Sequence, residues 1–588
     1  MKSIMDEIEH AEVPSESDDQ AIARLAALPD LEYAKQRKSE AKKLEIGVVL
    51  LDKLVKAERK TDEWEDGGKA GELVNIAKAS SVFFCDAEGE GYATFKKDDH
   101  EETWPLKSEG FIDWLSYRSY QETKTAPSES VVSAALSTLR GIAKYEGKAL
   151  DVFRRCAPYK GGYLIDLTNE EWQVVEVSAT GWKVLNSSPL KFVRSSTADV
   201  LPLPTTGNLD LLWRYVNVEE RDRTLILAFV LESWRPDAPY PLLFITGEQG
   251  CGKSCTHKYI RQVSDPNTIP LRTAPKSVED VFVSAGANHQ ASFENMSHLS
   301  APMQDALCTL ATGGGFAKRK LYSDADESVI NIKRPVIING ISDSITRPDL
   351  IDRTLRITTP LLKIMGEEAT LETDFNKSRG AIFGGLLDLF RDSLRELPSI
   401  EITTKLRMIG FIKLGEAIHR VLNIESPFID LYQSNRAESL ARSIEASPAM
   451  AALCSFIATC PNKKWEGTVK QLKIRLERHE PGHGEGWPKS PKGLADALRR
   501  MAPALRSDGI EVAFRARQRD GYHVSVFAKD TIIQNNVHHV HTFTEQAGTE
   551  KKTTTSTLER EHVNLVNVKS EDYIHDKKES VTDQGLAL

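Results

Sequence analysis

The sequence predicts an α/β protein with three parts: an α+β domain, a P-loop core and a winged helix. Three observations lead to this prediction. An apolar strand pattern runs into a glycine-rich loop and a helix start at 242–254, short strand and helix patterns precede it, and an order of helix, helix, strand, turn, strand follows near the end. At 588 residues the chain exceeds what one hydrophobic core usually organises.

The composition, 40% apolar and 27% charged, is typical of a soluble globular protein. No apolar stretch approaches the ~20 residues of a membrane-spanning helix, and the acidic start lacks the apolar core of a signal peptide. Seven cysteines without a C-x-x-C pair predict reduced thiols, no structural zinc and a cytoplasmic location. The net charge of −9 does not indicate binding to nucleic acid, although an overall negative charge can hide a local basic face.

Changes in composition and pattern predict the domain boundaries. Polar ends predict disorder, helical spacing predicts a leader, and a Pro/Gly-rich linker precedes the P-loop core. The predicted blocks are 1–20 (disordered), 21–60 (helical leader), 70–205 (α+β domain), 208–440 (P-loop core and helical lid), 448–530 (winged helix) and 531–588 (disordered tail).

The α+β domain is predicted from short strand-like runs and two helical stretches. The runs are SSVFFCD, YATF, GYLIDL, WQVVEV and GWKVL, and the helical stretches lie near residue 110 and at 128–146.

The segment LLFITGEQGCGKS carries the full phosphate-binding pattern, Gly247-x-x-x-x-Gly252-Lys253-Ser254. Its glycines allow backbone N–H groups to approach phosphate oxygens. Lys253 is predicted to reach the β- and γ-phosphates and Ser254 to ligate Mg²⁺. The alternative is a chance glycine-rich turn. The predicted nucleotide-binding residues are Gly247, Glu248, Gln249, Gly250, Cys251, Gly252, Lys253, Ser254 and Cys255.

An acidic residue at a strand end beside such a loop can hold Mg²⁺. Glu294 ends a weakly apolar strand candidate and is the predicted acid and metal ligand. Asn295 is predicted to hydrogen-bond the γ-phosphate or the attacking water. The alternative is an ordinary surface glutamate.

Two later segments complete the predicted catalytic set. RPVIINGI is an apolar strand ending in Asn339, whose amide can orient the hydrolytic water. TRPDLIDRTLRI places Arg347, Arg353 and Arg356 on a turn and helix, from which one arginine could reach a neighbouring subunit's nucleotide as an arginine finger. The alternative is that these arginines are solvated.

The order Thr312-Gly313-Gly314, Arg319, Leu321-Tyr322 and a strand ending in Asn339 resembles superfamily 3 helicases of the viral and phage primase–helicase type, which are AAA+ ATPases. The resemblance extends outward to RLAALPDLEYAKQRKSEAKKLEI and to the block around RRCAPYKGGYLIDLTNEEWQVVEV. It covers most of residues 22–528 and is most specific at 242–356.

The resemblance implies a homo-oligomeric ring, a hexamer, that translocates on single-stranded or forked DNA using ATP and Mg²⁺. By position, Lys253, Ser254 and Glu294 would bind the nucleotide and the metal ion, and Asn339 would be the polar sensor. Arg353 is the first candidate for the arginine finger, and Arg347 is the second. A basic trio beside the pore-facing hairpin would contact DNA phosphates, although a solvated turn is the alternative. The trio is Lys318, Arg319 and Lys320.

One departure from the family pattern concerns the acidic motif. Most AAA+ ATPases have two consecutive acids there, whereas this chain has Glu294 followed by Asn295. Either another carboxylate contributes to catalysis, or hydrolysis is slow.

The C-terminal block predicts a second DNA contact. Ser490 or Pro491 starts a helix, a hairpin follows it, and residues 489–519 contain eight basic and three acidic residues. Such a helix and wing suit DNA phosphates, and docking to a protein is the alternative. The predicted DNA-binding residues here are Lys492, Arg499, Arg500, Arg515, Arg517 and Arg519.

Two functions remain open from the sequence. One is an ATP-dependent DNA helicase of a phage or mobile element acting in replication, and the other is a non-unwinding AAA+ DNA-binding switch in element maintenance or antiviral defence. No cluster of metal-binding aspartates precedes the P-loop core, so any primase is expected to act in trans.

Overall fold

The computed structural model describes residues 16–59, 63–319, 327–341, 344–362, 367–480, 487–515 and 521–529. Several sequence predictions lie outside these residues: the disordered tail at 531–588, Lys320, Arg517 and Arg519, together with the side chains of Lys318 and Arg319.

Three helices form the start of the described chain, and they pack around Leu25, Leu51 and Val55. Ser17 caps the first helix, because its hydroxyl accepts from Gln20 N while the Gln20 side chain accepts from Ser17 N. The prediction of disorder is therefore wrong for residues 18–20. The helices are α1 (Asp18–Ala26), α2 (Asp30–Lys43) and α3 (Val48–Arg59).

The next unit is a three-stranded antiparallel sheet in the order β1-β2-β3, with helices packed on it. Its core includes Phe83, Phe95, Phe111 and Leu139. Its elements are α4 (Glu63–Ser80), β1 (Ser81–Cys85), β2 (Gly91–Lys97), β3 (His100–Pro105), α5 (Glu109–Thr123) and α6 (Glu129–Tyr145).

A second antiparallel sheet, in the order β5-β6-β7-β8, follows, and the short strands β4 and β9 pair in parallel beside it. The strands are β4 (Val152–Phe153), β5 (Cys156–Tyr159), β6 (Gly162–Asp166), β7 (Val174–Ser178), β8 (Gly181–Leu185) and β9 (Lys191–Phe192). A buried ion pair ties this part to the next block, since Arg155 Nε lies 2.8 Å from Asp265 Oδ1.

Removing Arg155 is expected to destabilise the protein strongly. The Arg155→Ala change leaves the carboxylate of Asp265 buried without its ion-pair partner, which costs about 3–5 kcal/mol. Urea denaturation measures this loss. The control is Lys183→Ala, since Lys183 pairs at the surface with Glu176 and its loss should cost under about 1 kcal/mol. Equal effects of the two changes would contradict the role of the buried pair.

The central block is a five-stranded parallel sheet in the order β11-β12-β15-β10-β16, with helices around it. The predicted α/β class is confirmed, and the sheet of this block is parallel. A separate antiparallel hairpin is formed by β13 and β14. The elements are α7 (Arg223–Ser233), β10 (Leu242–Thr246), α8 (Lys253–Ser264), β11 (Arg272–Thr273), α9 (Val278–Ala287), β12 (Ala291–Glu294), α10 (Ala301–Thr312), β13 (Gly315–Arg319), β14 (Glu327–Asn331), β15 (Val336–Asn339), α11 (Pro348–Ile351) and β16 (Thr354–Thr358).

Three helices complete the central block, and the C-terminal block (residues 448–529) follows. Helices α15, α16 and α17 pack there on a sheet in the order β17-β19-β18. The elements are α12 (Glu368–Glu396), α13 (Ile409–Val421), α14 (Phe428–Glu445), α15 (Pro448–Thr459), β17 (Lys464–Thr468), α16 (Val469–His479), α17 (Pro491–Ser507), β18 (Ile510–Phe514) and β19 (His523–Ala528).

The core of the C-terminal block is continuous with that of the central block. One hydrophobic cluster runs from Phe244 and Ile338 in the parallel sheet to Leu472, Leu498 and Val526 in the C-terminal block. The block predicted at 448–530 therefore packs closely against the central block. The apolar side of α17 is buried against α11 and α14 as well as against its own hairpin.

The described residues include no helix long and apolar enough to cross a membrane. All seven cysteines are free thiols.

Candidate functional site

The loop of residues 247–252, called the glycine loop below, joins β10 to the first turn of α8. All five residues of β10 are buried. Gly247, Gly250 and Gly252 have φ angles of 148°, 82° and 82°, which L side chains rarely adopt. A Cβ at Gly247 would also lie 2.5 Å from Thr359 Oγ1. The backbone therefore requires glycine where the sequence pattern has it.

Lys253 lies at the first position of α8 and points back over the glycine loop. Its Nζ donates hydrogen bonds to Gly247 O at 3.0 Å and to Glu248 O at 2.6 Å. Ser254 follows it and is exposed, as are Glu248, Gln249 and Gly250. A cation and the unpaired N–H groups of a helix start thus face the same opening, an arrangement that favours anions.

The two cysteines of the predicted set lie in different surroundings. Cys251 is fully buried, with its Sγ 2.7 Å from Thr359 Oγ1. Cys255 is half-buried, and burial raises the pKa of its thiol. Cys251 therefore packs the loop from inside and does not face a ligand with its side chain.

Asn217, which the sequence interpretation missed, holds the glycine loop in place. Its Nδ2 donates to Cys251 O at 2.9 Å and to Pro360 O at 2.7 Å, and its N–H donates to Thr256 Oγ1. A polar residue between buried Val216 and Val218 was the available signal.

The carboxyl ends of three neighbouring strands meet beside the glycine loop. Ile245 of β10 pairs with Asn339 of β15, and Phe293 of β12 pairs with Ile338. Glu294 therefore ends β12 at the same sheet edge as the loop. No hydrogen bond or ion pair joins its half-buried carboxylate to another described residue. The structure thus brings Lys253, Ser254, Glu294 and Asn339 to one edge, as predicted.

Asn295 engages this edge through its backbone. Its φ angle is 56°, a left-handed conformation that asparagine tolerates better than most residues. Its N–H donates to Asn339 Oδ1 at 2.9 Å. Asn295 itself is exposed to solvent. The turn after Glu294 therefore gives a conformational reason for asparagine at this position.

Asn339 is almost fully buried. Besides accepting from Asn295 N, its amide lies 3.0 Å from His257 Nδ1 of α8. His257 Nε2 lies 2.8 Å from Ser292 Oγ of β12. Burial, followed by the charge of Arg261, lowers the pKa of His257 to about 3. The histidine is therefore neutral near pH 7.

This histidine predicts an acid-dependent loss of stability. The unfolded imidazole takes up a proton below its ordinary pKa of about 6.5, whereas folded His257 stays neutral down to about pH 3. Its contribution is complete above pH 6.5 and is lost as the pH falls toward 3. Between pH 7.5 and 5 the free energy of unfolding should fall by about 2 kcal/mol on its account. Urea denaturation of wild type and His257→Gln measures this, and identical pH slopes would contradict it.

Of the two predicted finger arginines, Arg353 lies at the opposite edge of the sheet. Leu242 N, at the start of β10, donates to Arg353 O, so Arg353 and the glycine loop are separated by the length of β10, roughly 16 Å. Its guanidinium, only 14% exposed, pairs with Asp349 at 2.8 Å. The more exposed Arg347 pairs with Asp305 at 3.0 Å.

Arg356 does not belong to a turn or helix, and that expectation is corrected. It lies in β16 beside β10, with its guanidinium 5.5 Å from the centre of the Phe244 ring. The short helix α11 ends at Ile351, before Arg356, and the chain is already extended as β16 when it reaches Arg356.

The predicted basic residues of the C-terminal block have different surroundings. Ser490 caps α17, as predicted, and Lys492, Arg499 and Arg500 are exposed. Arg499, however, stacks on Phe514 and Tyr522, with its guanidinium 4.6 and 5.0 Å from the ring centres. The outermost described hairpin arginine, Arg515, lies 3.4 Å from Glu466. Lys492 and Arg500 have no ion pair with a described residue.

Two family models match the chain. The model for the actinomycete integrative conjugative element replication protein matches residues 209–433, and the model for the AICE RepA C-terminal domain matches residues 450–534. Together these ranges span more than half of the 588 residues.

Solved structures with a similar outline include the structure described as SCCmec type IV Cch, active helicase (14% identity, TM-score 0.40, covering 76% of this chain and 94% of that one). The A form apo structure of the NrS-1 C-terminal region, residues 305–718, is another (11% identity, TM-score 0.34, covering 78% and 99%). Likenesses this weak establish neither the fold nor the activity of the present chain. No curated protein matches it significantly.

Proposed function

We propose that this chain, which belongs to the actinomycete integrative conjugative element replication proteins, is an ATP-dependent DNA helicase or translocase acting in replication of the element. It would work as a ring of identical subunits, a hexamer, and any primase would act in trans. One observation carries the proposal: Lys253, Ser254 and Glu294 share one sheet edge, while Arg353 lies at the other.

In this proposal ATP lies with its phosphates against the glycine loop. Lys253 would exchange its bonds to the two loop carbonyls for bonds to the β- and γ-phosphates. The hydroxyl of Ser254 and the carboxylate of Glu294 would hold Mg²⁺, which prefers oxygen ligands and accepts few from the protein when phosphates supply the rest. Bound there, Mg²⁺ neutralises charge on the phosphates.

The position of Arg353 supports a finger that acts between subunits. Roughly 16 Å of strand separates it from its own glycine loop, so it cannot reach the nucleotide of its own subunit and a finger role would require a neighbour's nucleotide. In the single subunit its charge is paired with Asp349. Assembly of a ring would offer this guanidinium a more highly charged partner, the phosphates of the neighbouring nucleotide.

DNA is proposed to contact two basic regions. The β13–β14 hairpin carries Lys318 and Arg319 in its first strand, with Lys320 next in the chain, and it would line the pore. In the C-terminal block, α17 and the β18–β19 hairpin would form a winged helix. Unpaired cations on such a face suit phosphate oxygens.

Lys492 and Arg500 are expected to supply most of the DNA affinity of α17. The double change Lys492→Ala and Arg500→Ala should weaken binding of forked DNA about tenfold. The slope of log K against log salt concentration should become shallower by nearly two, because two phosphate contacts are lost. Fluorescence anisotropy over a series of salt concentrations measures both. The control is Arg506→Ala on the same helix, because Arg506 already pairs with Glu511. An unchanged salt slope in the double variant would contradict the assignment.

A second candidate function is a non-unwinding, ATP-controlled DNA-binding switch, in element maintenance or antiviral defence. It is favoured by Asn295, which stands where most AAA+ ATPases have a second acid. Hydrolysis stimulated several-fold by single-stranded DNA, and lost with Lys253, would support the helicase. Binding of ATP without stimulated hydrolysis would support the switch.

A further inference from the structure

A chain of hydrogen bonds runs under the candidate nucleotide site. It links α8, β12 and β15 through three buried side chains, His257, Ser292 and Asn339, which are each at most 1% exposed. His257 lies on α8 one turn after Lys253, and Ser292 lies two residues before Glu294. These hydrogen bonds therefore connect α8, which carries Lys253, to β12, which carries Glu294.

We propose that His257 is a positioning residue: bonded to Asn339, it fixes the amide that holds the turn after Glu294 and so aims the Glu294 carboxylate at the nucleotide site. The inference rests on the proposed function for the identity of the reaction, but the hydrogen bonds that carry it do not depend on that function.

The donors and acceptors of this chain can be arranged in only one direction. Asn295 N can only donate, so the amide atom 2.9 Å from it must be Asn339 Oδ1. The other amide atom is then Nδ2, which donates to His257 Nδ1 at 3.0 Å. Nδ1 must therefore carry no proton.

The same logic fixes the rest of the chain. A neutral imidazole has one donor and one acceptor, so the proton of His257 is on Nε2, which donates to Ser292 Oγ at 2.8 Å. Ser292 Oγ lies 2.7 Å from Pro270 O, a carbonyl that can only accept. Every donor in the chain thus meets an acceptor. A flipped Asn339 amide would put two donors against each other at Asn295.

The turn held by this amide is conformationally costly. Asn295 has a positive φ angle of 56°, which the surrounding contacts must maintain. Met296 N also donates to Asn339 O, so both the side chain and the backbone of Asn339 hold the turn. Without His257, the Asn339 Nδ2 would lose its acceptor, and the amide oxygen that accepts from Asn295 N would be held less firmly.

The test compares His257→Phe with His257→Gln in the full-length protein. Phenylalanine fills the space but offers no donor or acceptor, whereas glutamine keeps an acceptor and a donor on its terminal amide. We expect kcat for ATP hydrolysis to fall at least about tenfold in His257→Phe and less than about threefold in His257→Gln. The Kd for a fluorescent ATP analogue should change less than about twofold in both.

A second measurement does not depend on catalysis. Hydrogen exchange of the backbone over residues 294–300, followed by mass spectrometry, should become faster in His257→Phe and stay near wild type in His257→Gln. Equal exchange in all three proteins would overturn the proposal. A parallel loss of ATP affinity and kcat in His257→Phe would also overturn it, because it would indicate damage to α8 as a whole.

These outcomes separate the inference from the proposed function. If wild-type protein did not hydrolyse ATP, the proposed function would fail, and the exchange contrast would still decide whether His257 holds the turn. If wild type hydrolysed ATP in a Lys253-dependent manner but His257→Phe did so at the same rate, only the positioning role would fail.

Discussion

Lys253→Ala is expected to lower kcat/KM for ATP hydrolysis by roughly two to three orders of magnitude, the effect of losing one preorganised charge at a reacting phosphate. Lys253 is the only cation among the described residues whose Nζ lies on the glycine loop itself, bonded to Gly247 O and Glu248 O. Steady-state hydrolysis, with and without single-stranded DNA, measures the loss.

The matched control is Lys258→Ala on the same helix. Lys258 pairs with Glu372, 3.3 Å away. The Lys258→Ala change is expected to leave the rate of ATP hydrolysis within about twofold of wild type. Calorimetry should show that both variants remain folded. If Lys253→Ala retained more than a tenth of the activity, the glycine loop would not be the hydrolytic site.

Arg353→Ala is expected to reduce kcat by about three orders of magnitude while leaving ATP binding by the single subunit intact. The reason is geometric, because Arg353 lies at the sheet edge away from its own glycine loop. Arg347→Ala serves as the comparison, since Arg347 is the second candidate and pairs with Asp305. Whichever change causes the larger loss of kcat identifies the finger.

Mixing two inactive variants tests the action between subunits. In a ring formed from Lys253→Ala and Arg353→Ala subunits, some interfaces join an intact Lys253 to an intact Arg353. Hydrolysis should therefore partly recover on mixing, although each variant alone is inactive. No recovery in rings shown by sedimentation to be mixed would contradict a finger supplied by the neighbour.

The glycine loop and the strand-end residues could be predicted because local chemistry dictates them. Gly247, Gly250 and Gly252 have backbone angles that exclude other residues, and the fully buried β10 is an apolar run in the sequence. The location of Glu294 beside the loop also followed from a local pattern, since carboxyl ends of parallel strands share one edge.

Other features depend on contacts distant in sequence. β3 reads HEETWP and β17 reads KWEGT, patterns without apolar alternation, and their hydrogen-bond partners are the neighbouring strand β2 and the distant strand β19, respectively. Asn217 holds the glycine loop from 34 residues away. His257 meets Asn339 from 82 residues away. No spacing rule of a helix or strand reveals such pairs.

The packing of the C-terminal block against the central block could not be predicted for a related reason. The periodicity of α17 shows that one face is apolar, but it does not show what covers that face. Leu498 and Met501 belong to the same cluster as Leu350 of α11 and Leu440 of α14. The helix therefore packs directly against the part of the central block that lies beside Arg347 and Arg353.

Strand separation of forked DNA by wild type and Lys253→Ala, scored in the same samples as ATP hydrolysis, tests the central claim most directly. The proposed helicase predicts that wild type separates the strands as it hydrolyses ATP, and that Lys253→Ala does neither while still binding the fork. Binding of ATP and DNA by wild type without any strand separation would contradict the helicase and support the nucleotide-controlled switch.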